Sequence, residues 1–201
     1  MPPTRRRKMR KEIASLAALL LVMLAARASL ADHHFVPSGS MRPAIEAGDR
    51  ILVDKRAYGL RLPMSQLYLL RYARPLSGDV VVLDSPETGE LLVKRVVATE
   101  GDEVCVRAGR LRLNGRAVPV EAGPDGLRER LGAKAHPIRL TARGGPPLGP
   151  VRVPAEHVLV MGDNRGQSHD GRTFGFVHID AVLGRALGVF MSDGGFTWRP
   201  L

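Results

Sequence analysis

The stretch HHFVPSGSMRPAIEAGDRILVD, residues 33–54, places a Ser-Gly-Ser-Met turn between two prolines and continues into the apolar run RILVD. Prolines restrict the backbone, and they therefore fix the direction in which a turn hydroxyl points. Ser40 is a candidate nucleophile for this reason, although a serine in a turn is usually no more than a turn residue. The run RILVD predicts a β-strand directly after the turn.

The composition fits a loop-rich β protein of one domain with an appendage. Of 201 residues, 44% are hydrophobic and 4% aromatic, and the chain contains 22 Gly and 15 Pro. The formal charge is +10, but residues 1–12 contribute six Lys/Arg against one Glu. From residue 32 onward there are 23 Lys/Arg and 19 Asp/Glu. A basic stripe with interleaved aromatic residues is absent from the sequence, so no nucleic-acid partner is expected.

The basic residues 1–12 precede an apolar segment, residues 13–31, with Arg27 near its far end. The segment approaches the ~20 residues of a spanning helix, and the basic flank predicts a cytoplasmic N-terminus. A cleavable signal peptide has the same basic start, short apolar region and small residues at its end. The sequence therefore leaves open a retained transmembrane anchor or a removed leader. Both place residues 32–201 on the outer side of a membrane.

The remainder of the chain predicts mainly antiparallel β-structure. The runs VVVLD (residues 80–84) and LLVKRVVAT (residues 91–99) predict the two strands of a hairpin. Asn114-Gly115, between alternating apolar residues, predicts a type I′ turn. Residues 121–150 are rich in Gly, Pro and charge, and we expect a surface excursion there. A βαβ alternation is absent, so the predicted fold class is mainly β.

Two adjacent cations, Lys94 and Arg95, lie within the apolar run of residues 91–99. On a strand, Lys94 would share a face with Leu92 and Val96, and Arg95 would point to the opposite face. One of the two cations is expected in apolar surroundings, unless the lysine lies on an edge strand with its tip in water. A desolvated lysine loses its proton easily. The neutral amine can then take a proton from a serine, as in Ser-Lys nucleophilic catalysis.

Four sequence blocks follow one another within residues 35–188: PSGSMRPAIEAGDRILVDKRAYGLRLP, GDVVVLDSP, VKRVVATEGDEV and VMGDNRGQSHDGRTFGFV. In these blocks and in their order, the chain resembles the bacterial type I signal peptidases, a family of membrane-anchored Ser-Lys serine endopeptidases. The resemblance covers most of the chain. The resemblance implies an N-terminal membrane helix and a signal-peptidase-like antiparallel β domain over residues 32–201. The second β-rich region of larger members would be reduced here to residues 107–150.

The resemblance also implies a role for four residues in the chemistry. Ser40 matches the nucleophile and Lys94 matches the general base. The hydroxyl of Ser38, together with the backbone N–H of Ser40, would form the oxyanion hole. Ser168 matches the serine that hydrogen-bonds and orients the lysine.

Two further groups of residues would support this chemistry. One group holds the last loop in place, with an ion pair between its first two members: Asp170, Arg172, Asp163, Asn164 and Arg165. The other group flanks the catalytic pair and would line pockets for small substrate side chains: Phe35, Val36, Pro37 and Val93. The family usually has Asp-Ser-Arg where this chain has Asp-Gly-Arg at residues 170–172. That departure leaves the ion pair possible and removes a hydroxyl.

The function implied by the resemblance is removal of N-terminal signal peptides from exported preproteins at the outer face of the cytoplasmic membrane. The partners would be signal peptides with small residues before the cleavage site, and the lipid bilayer. No cofactor is implied, and the histidines lack the spacing of a zinc site. Two alternatives stay open: a conjugation or pilin-maturation peptidase with the same Ser-Lys chemistry, and a non-catalytic membrane-tethered β domain that binds partners.

Overall fold

An antiparallel sheet of eight strands forms the centre of the fold in the computed structural model. The structure describes residues 12, 13, 15, 16, 31–61 and 68–201. The strands of the central sheet are β1 (Ala31–Phe35), β2 (Arg50–Asp54), β5 (Val80–Asp84), β6 (Leu91–Thr99), β14 (His157–Met161), β15 (Val177–His178), β16 (Val182–Ser192) and β17 (Gly195–Pro200). Their order is β1-β2-β16-β5-β6-β14-β15, with β17 paired to β16.

Three smaller sheets surround the central one. They are a two-stranded sheet of β3 (Gly59–Arg61) and β4 (Tyr68–Arg71), a four-stranded sheet of β7 (Glu103–Arg107), β8 (Arg110–Leu113), β9 (Arg116–Ala117) and β13 (Leu148–Arg152), and a three-stranded sheet of β10 (Val120–Gly123), β11 (Gly126–Leu131) and β12 (Lys134–Ile138). The described helical elements after residue 31 are short: the 3-10 turns Gly39–Met41 and Ile179–Ala181, and the helix Gly171–Phe174. The predicted mainly β fold class is confirmed.

Both hairpins predicted from the sequence are present. Strands β5 and β6 pair in register, with Val81 opposite Lys94 and Val82 opposite Val93. Between β8 and β9, Asn114 has φ 51° and Gly115 has φ 77°. Positive φ at both central residues is what a type I′ turn requires, so the Asn-Gly dipeptide forms the turn that its composition predicts.

The hairpin of β5 and β6 lies inside the fold because both of its faces are covered. Val82 packs in one apolar cluster with Ile51 and Val189. Val81 belongs to a second cluster on the opposite face, together with Val96. Polar side chains carried by β6 are consequently brought into a buried environment, whichever face they occupy.

Residues 121–150 differ from the surface excursion that we expect from their composition. Strands β10, β11 and β12 pair in register across this segment, and Glu129, Leu131, His136 and Ile138 are buried. Leu127, Glu129 and Leu131 have the two-residue period of a strand. A buried carboxylate in the middle of that period conceals the strand from an interpretation based on apolar alternation.

The predicted membrane segment, residues 13–31, lies almost entirely outside the described residues. Within the described part of the chain, no helix has the length and apolar character needed to cross a membrane.

Candidate active site

The candidate nucleophile Ser40 lies in the 3-10 turn Gly39–Met41, directly after the first edge strand of the central sheet. Met41 is fully buried in the apolar core and anchors the turn. The backbone N–H of Ile45 donates to the carbonyl of Met41 at 3.0 Å, which ties the turn to the chain that follows. Ser40 itself is half-buried, so its hydroxyl is held by a rigid turn and remains accessible.

Lys94 lies on β6 and reaches the turn from across the curled sheet. Its Nζ donates to Ser40 Oγ at 2.7 Å, which is within the distance needed for proton transfer. The side chain is 3% exposed. Burial lowers the pKa of Lys94 from 10.5 to about 8, although the carboxylates of Asp170 and Asp163 act to raise it. The desolvated lysine expected from the strand period is therefore Lys94, and it faces the candidate nucleophile.

Ser38 lies on the solvent side of the same turn. Its hydroxyl donates to Ser40 Oγ at 3.3 Å, so the two serines and Lys94 form one hydrogen-bonded group. A cleft of about 470 Å³ opens beside them, and Glu87, Gln167 and His169 form part of its far wall. His169 is exposed and pairs through Nε2 with Glu87 at 2.7 Å; it makes no contact with Ser40 that would suggest a Ser-His mechanism.

Ser168 packs beneath the nucleophile turn, against Gly162. A Cβ on Gly162 would lie 2.2 Å from Ser168 Oγ and 2.5 Å from the carbonyl oxygen of Ser40, so only glycine allows the two loops to approach this closely. The Ser168 hydroxyl is buried and makes no hydrogen bond of good geometry, although it lies close enough to Asp170 to help lower the pKa of that carboxyl. The hydrogen bond from Ser168 to Lys94 that the resemblance implies is thus not formed in this conformation.

Asp170 and Arg172 form a buried, two-pronged ion pair. Arg172 Nε donates to Asp170 Oδ1 and Nη2 to Oδ2, each at 2.8 Å. Asp170 also accepts from the backbone N–H of Gly162 at 2.9 Å. Burial alone would raise the pKa of Asp170, but the hydrogen bonds and charge of Arg172 hold it below its ordinary value. The pair therefore remains charged and fixes the loop beneath Lys94.

Gly171, between the two partners, is required by packing. A Cβ at this position would lie 2.7 Å from Leu159 Cδ1 and 2.8 Å from the carbonyl oxygen of Val160. The serine that is usual in the family would thus meet the backbone of β14. The departure from the family pattern is explained by the close approach of β14 and not by a need for backbone freedom, since the φ of Gly171 lies outside the left-handed region.

The segment Asp163–Arg165 connects the nucleophile turn with the strand of the lysine. Asp163 accepts from Arg95 Nε at 2.9 Å and Nη2 at 2.8 Å, in a second buried ion pair. Asn164 donates from its backbone N–H to the carbonyl of Ser40 and from Nδ2 to the carbonyl of Gly39, each at 3.0 Å. The placement agrees with the scaffold role expected for this segment.

The four expected pocket residues do not share one surface. Val36 is buried in an apolar cluster, and the half-buried Val93 packs against that cluster. Phe35 is exposed and pairs with Arg50 on the outer face of the sheet, while Pro37 is exposed. Because successive strand residues point to opposite faces, Phe35 and Val36 cannot line the same pocket. Val36 and Val93 are the two that lie together.

Two buried polar residues near the site were missed by the sequence interpretation. Glu129 on β11 and His136 on β12 lie opposite each other in the register of the three-stranded sheet, and both are buried. Their apolar neighbours at strand spacing were the signal that was available. Among the residues that the structure describes, no group of His, Cys, Asp and Glu is arranged to hold a metal ion.

Comparisons with known proteins give the family of the chain. Residues 9–191 match the family model described as signal peptidase, peptidase S26. Signal peptidase I of Pseudomonas fluorescens is 36% identical over 197 residues, covering 87% of this chain and 69% of that protein. Thylakoidal processing peptidase 1 of Arabidopsis thaliana is 31% identical over 165 residues, covering 80% of this chain and 42% of that protein.

A crystal structure of a signal peptidase I from Enterococcus faecalis aligns with 56% of this chain and 96% of that chain, at 23% identity and a TM-score of 0.39. The family match spans most of the chain, and signal peptidase I of Pseudomonas aeruginosa is 35% identical over 87% of it. The family expected from the four sequence blocks is confirmed. This chain belongs to the signal peptidase family, peptidase S26.

Proposed function

We propose that this protein removes N-terminal signal peptides from exported preproteins, with Ser40 as nucleophile and Lys94 as general base. The observation that carries the proposal is the 2.7 Å contact between Lys94 Nζ and Ser40 Oγ, made by a lysine whose ammonium form is destabilised by burial. A buried amine with no carboxylate in hydrogen-bonding contact has little to gain in stability from this position. Its placement on a serine hydroxyl is what acyl transfer requires.

In the proposed reaction, neutral Lys94 takes the Ser40 proton while Oγ attacks the scissile carbonyl. The proton then passes to the leaving amine, and an acyl-enzyme forms on Ser40. A water molecule that is deprotonated by Lys94 would release the signal peptide. The hydroxyl of Ser38, 3.3 Å from Ser40 Oγ, would turn to donate to the developing oxyanion, an interaction typically worth ~3 kcal/mol in the transition state.

The substrate would bind as an additional β-strand along β6. On one side, Leu91, Leu92 and Val93 pair with β5. The pairing of β14 with the other side starts at Arg95. Within the described residues, no strand covers that other edge at Leu91–Val93. An extended peptide can therefore pair with this edge, and the shallow apolar surface at the half-buried Val93, which packs against the cluster of Val36, would select small side chains before the scissile bond.

The cleavage experiment compares the wild-type protein with Ser40→Ala on a purified preprotein. We expect wild-type protein to release the mature fragment and the variant to be inactive. Ser77→Ala is the matched control, because Ser77 makes a single hydrogen bond to the Val97 carbonyl and does not line the cleft. Full cleavage by Ser40→Ala would refute the mechanism and favour a non-catalytic role for the turn.

The bilayer is the second proposed partner, with residues 1–12 in the cytoplasm, residues 13–31 as the anchor, and the β domain on the outer side. An exposed apolar row on the outer face of the central sheet supports it. Phe35 lies opposite Arg50, Arg50 opposite Met191, and Met191 opposite Phe196. Phe196 is 83% exposed, and Trp198 on the same strand is also exposed. Aromatic side chains next to an arginine suit a lipid headgroup boundary.

Vesicle binding separates this surface from the anchor. We expect a fragment beginning at residue 31, if it refolds with wild-type circular dichroism, to sediment with anionic vesicles. Phe196→Ser with Trp198→Ser should reduce that binding several-fold. Leu76→Ser, which also removes an exposed apolar side chain, should leave binding unchanged. Equal loss in both variants would show that the row has no special role.

A further inference from the structure

Glu129 and His136 are buried titratable residues that the proposed reaction does not use. They face each other across β11 and β12, in a sheet inserted between the strand of Lys94 and the loop of Ser168. A carboxylate that is 0% exposed is costly unless charged partners compensate for its burial. The partners of Glu129 therefore indicate what this inserted sheet holds.

The partner of Glu129 is Arg165, which is also fully buried. Arg165 Nη1 donates to Glu129 Oε1 and to the carbonyl of Gly109, each at 2.8 Å, and Nη2 donates to Glu129 Oε2. Burial would raise the pKa of Glu129, but the contacts with His136 and Arg165 lower it to about 2. The pair is therefore ionised at every pH at which the protein works.

His136 lies between this ion pair and the next one. Its Nε2 is 3.4 Å from Glu129 Oε2 and 3.9 Å from Asp163 Oδ1. Burial lowers the pKa of His136, and the nearby Arg95 adds to that effect, while Glu129 and Asp163 oppose it. The neutral ring thus separates two carboxylates, each of which keeps its own arginine.

The backbone continues the connection from the inserted sheet to the reacting groups. Arg139, directly after β12, donates its N–H to the carbonyl of Asp163 at 2.8 Å and accepts from the N–H of Arg165 at 2.9 Å. Asn164, between them, holds the carbonyls of Gly39 and Ser40. The segment of residues 163–165 is consequently clamped between the inserted sheet on one side and the nucleophile turn on the other.

We propose that Glu129 and His136 are positioning residues for the Ser40–Lys94 pair, and that the inserted sheet acts through residues 163–165 to keep the nucleophile turn packed against the lysine. The inference rests on the proposed function for its activity readout. Loss of the Glu129 charge would leave Arg165 buried without its carboxylate, and the segment would shift or admit water. Water beside Lys94 would remove part of the desolvation that keeps its amine neutral.

The test compares Glu129→Gln with the control Glu121→Gln. Glu121 lies on the neighbouring strand, and its exposed carboxylate makes a loose ion pair with Arg130 at 3.8 Å. Preprotein cleavage is measured as a function of pH. For Glu129→Gln we expect the turnover number at pH 7 to fall at least tenfold, while the KM changes less than twofold. The rising limb of the pH–rate profile should move to higher pH by at least half a unit. Partial recovery at alkaline pH should accompany that shift. Glu121→Gln should match the wild type.

A merely structural role would lower the folded fraction and leave the limb where it is. A folded Glu129→Gln variant with an unshifted limb overturns the proposal. Should this variant not fold, His136→Leu replaces a neutral ring whose Nε2 lies 3.4 Å from Glu129 Oε2 and carries the same test, with an expected loss of at least threefold and the same direction of shift.

A second measurement is independent of cleavage. The pH dependence of Lys94 acylation by acetic anhydride, followed by peptide mass spectrometry, reports the pKa of the amine directly. We expect the half-reaction pH to rise in Glu129→Gln and to stay unchanged in Glu121→Gln. If the wild-type protein cleaved no preprotein, the proposed function would fail while this shift could still appear; an absent shift in an active enzyme overturns the positioning role alone.

Discussion

The two faces of β6 carry adjacent buried cations with opposite environments. Arg95 is buried beside a carboxylate. Its Nε and Nη2 donate hydrogen bonds to Asp163. Lys94, one residue earlier, is equally buried but meets a serine hydroxyl. The same strand therefore presents a satisfied charge on one side and a destabilised one on the other. The comparison teaches that pairing, and not burial alone, separates a structural cation from one suited to the proposed role of base.

Substitution of Lys94 should have the largest effect, and in two opposite directions. Lys94→Met retains the volume and removes the base, so turnover should fall by at least about a thousandfold. Burial that lowers the lysine pKa from 10.5 to about 8 also costs stability of up to ~3 kcal/mol when the group is protonated. We therefore expect the free energy of unfolding of Lys94→Met at pH 7 to exceed that of the wild type by up to ~3 kcal/mol.

The sign of this effect depends on pH. The folded state binds the Lys94 proton more weakly than the unfolded state, so wild-type stability rises from about pH 8 to about pH 10.5. The advantage of Lys94→Met should disappear over the same interval. Urea unfolding at pH 7 and at pH 10.5 measures both quantities, and a variant that is less stable than wild type at pH 7 would contradict the comparison.

Substitution of Arg95 should instead unfold the protein. Arg95→Met leaves the buried Asp163 without its ion-pair partner, and losing one partner of such a pair typically costs ~3–5 kcal/mol. Thermal and urea unfolding measure the loss. Arg74→Met is the matched control, since Arg74 pairs with Glu100 at 2.6 Å on the exposed surface, where losing the pair should change stability little. Equal effects at both positions would remove the distinction between them.

The contrast between Lys94 and Arg95 could be predicted only in part from the sequence. The two-residue period places them on opposite faces, and the four motif blocks indicate which one is the proposed base. The identity of the partner could not be predicted in the same way, because Asp163 is 68 residues away along the chain. The curled sheet, which the local pattern does not encode, brings them together.

The same reasoning explains the other differences between prediction and structure. Phe35 and Val36 were grouped as pocket residues by their position in the motif, although strand alternation separates their side chains. Glu129 and His136 were missed because their apolar neighbours at strand spacing are only a weak signal, and the partners that compensate for their burial lie in distant segments. The membrane segment, residues 13–31, stays a prediction. Local periodicity thus predicts strands and faces, whereas buried ion pairs depend on contacts between distant segments.

The pH dependence of cleavage sharpens the comparison without any substitution. If Lys94 must be neutral to act, kcat/KM should rise about tenfold per pH unit below pH 8 and level off above it. The measurement is a preprotein cleavage profile from pH 6 to pH 10.5. If the rising limb of this profile had its midpoint near pH 10.5, the pKa of an ordinary lysine, Lys94 would be hydrated in the working enzyme.

The smallest expected effect concerns Ser168, whose buried hydroxyl makes no hydrogen bond of good geometry. Ser168→Ala removes only a weak contact with Asp170 in the free protein, so the free energy of unfolding should change by less than about 1 kcal/mol. If the hydroxyl turns to Lys94 once substrate is bound, turnover should fall by about tenfold, the equivalent of one hydrogen bond. Ser77→Ala should show the reverse pattern, because it loses a bond to the Val97 carbonyl far from the reaction. Wild-type turnover in Ser168→Ala would leave Asp170 and the apolar walls of β6 as the groups that hold the lysine in line.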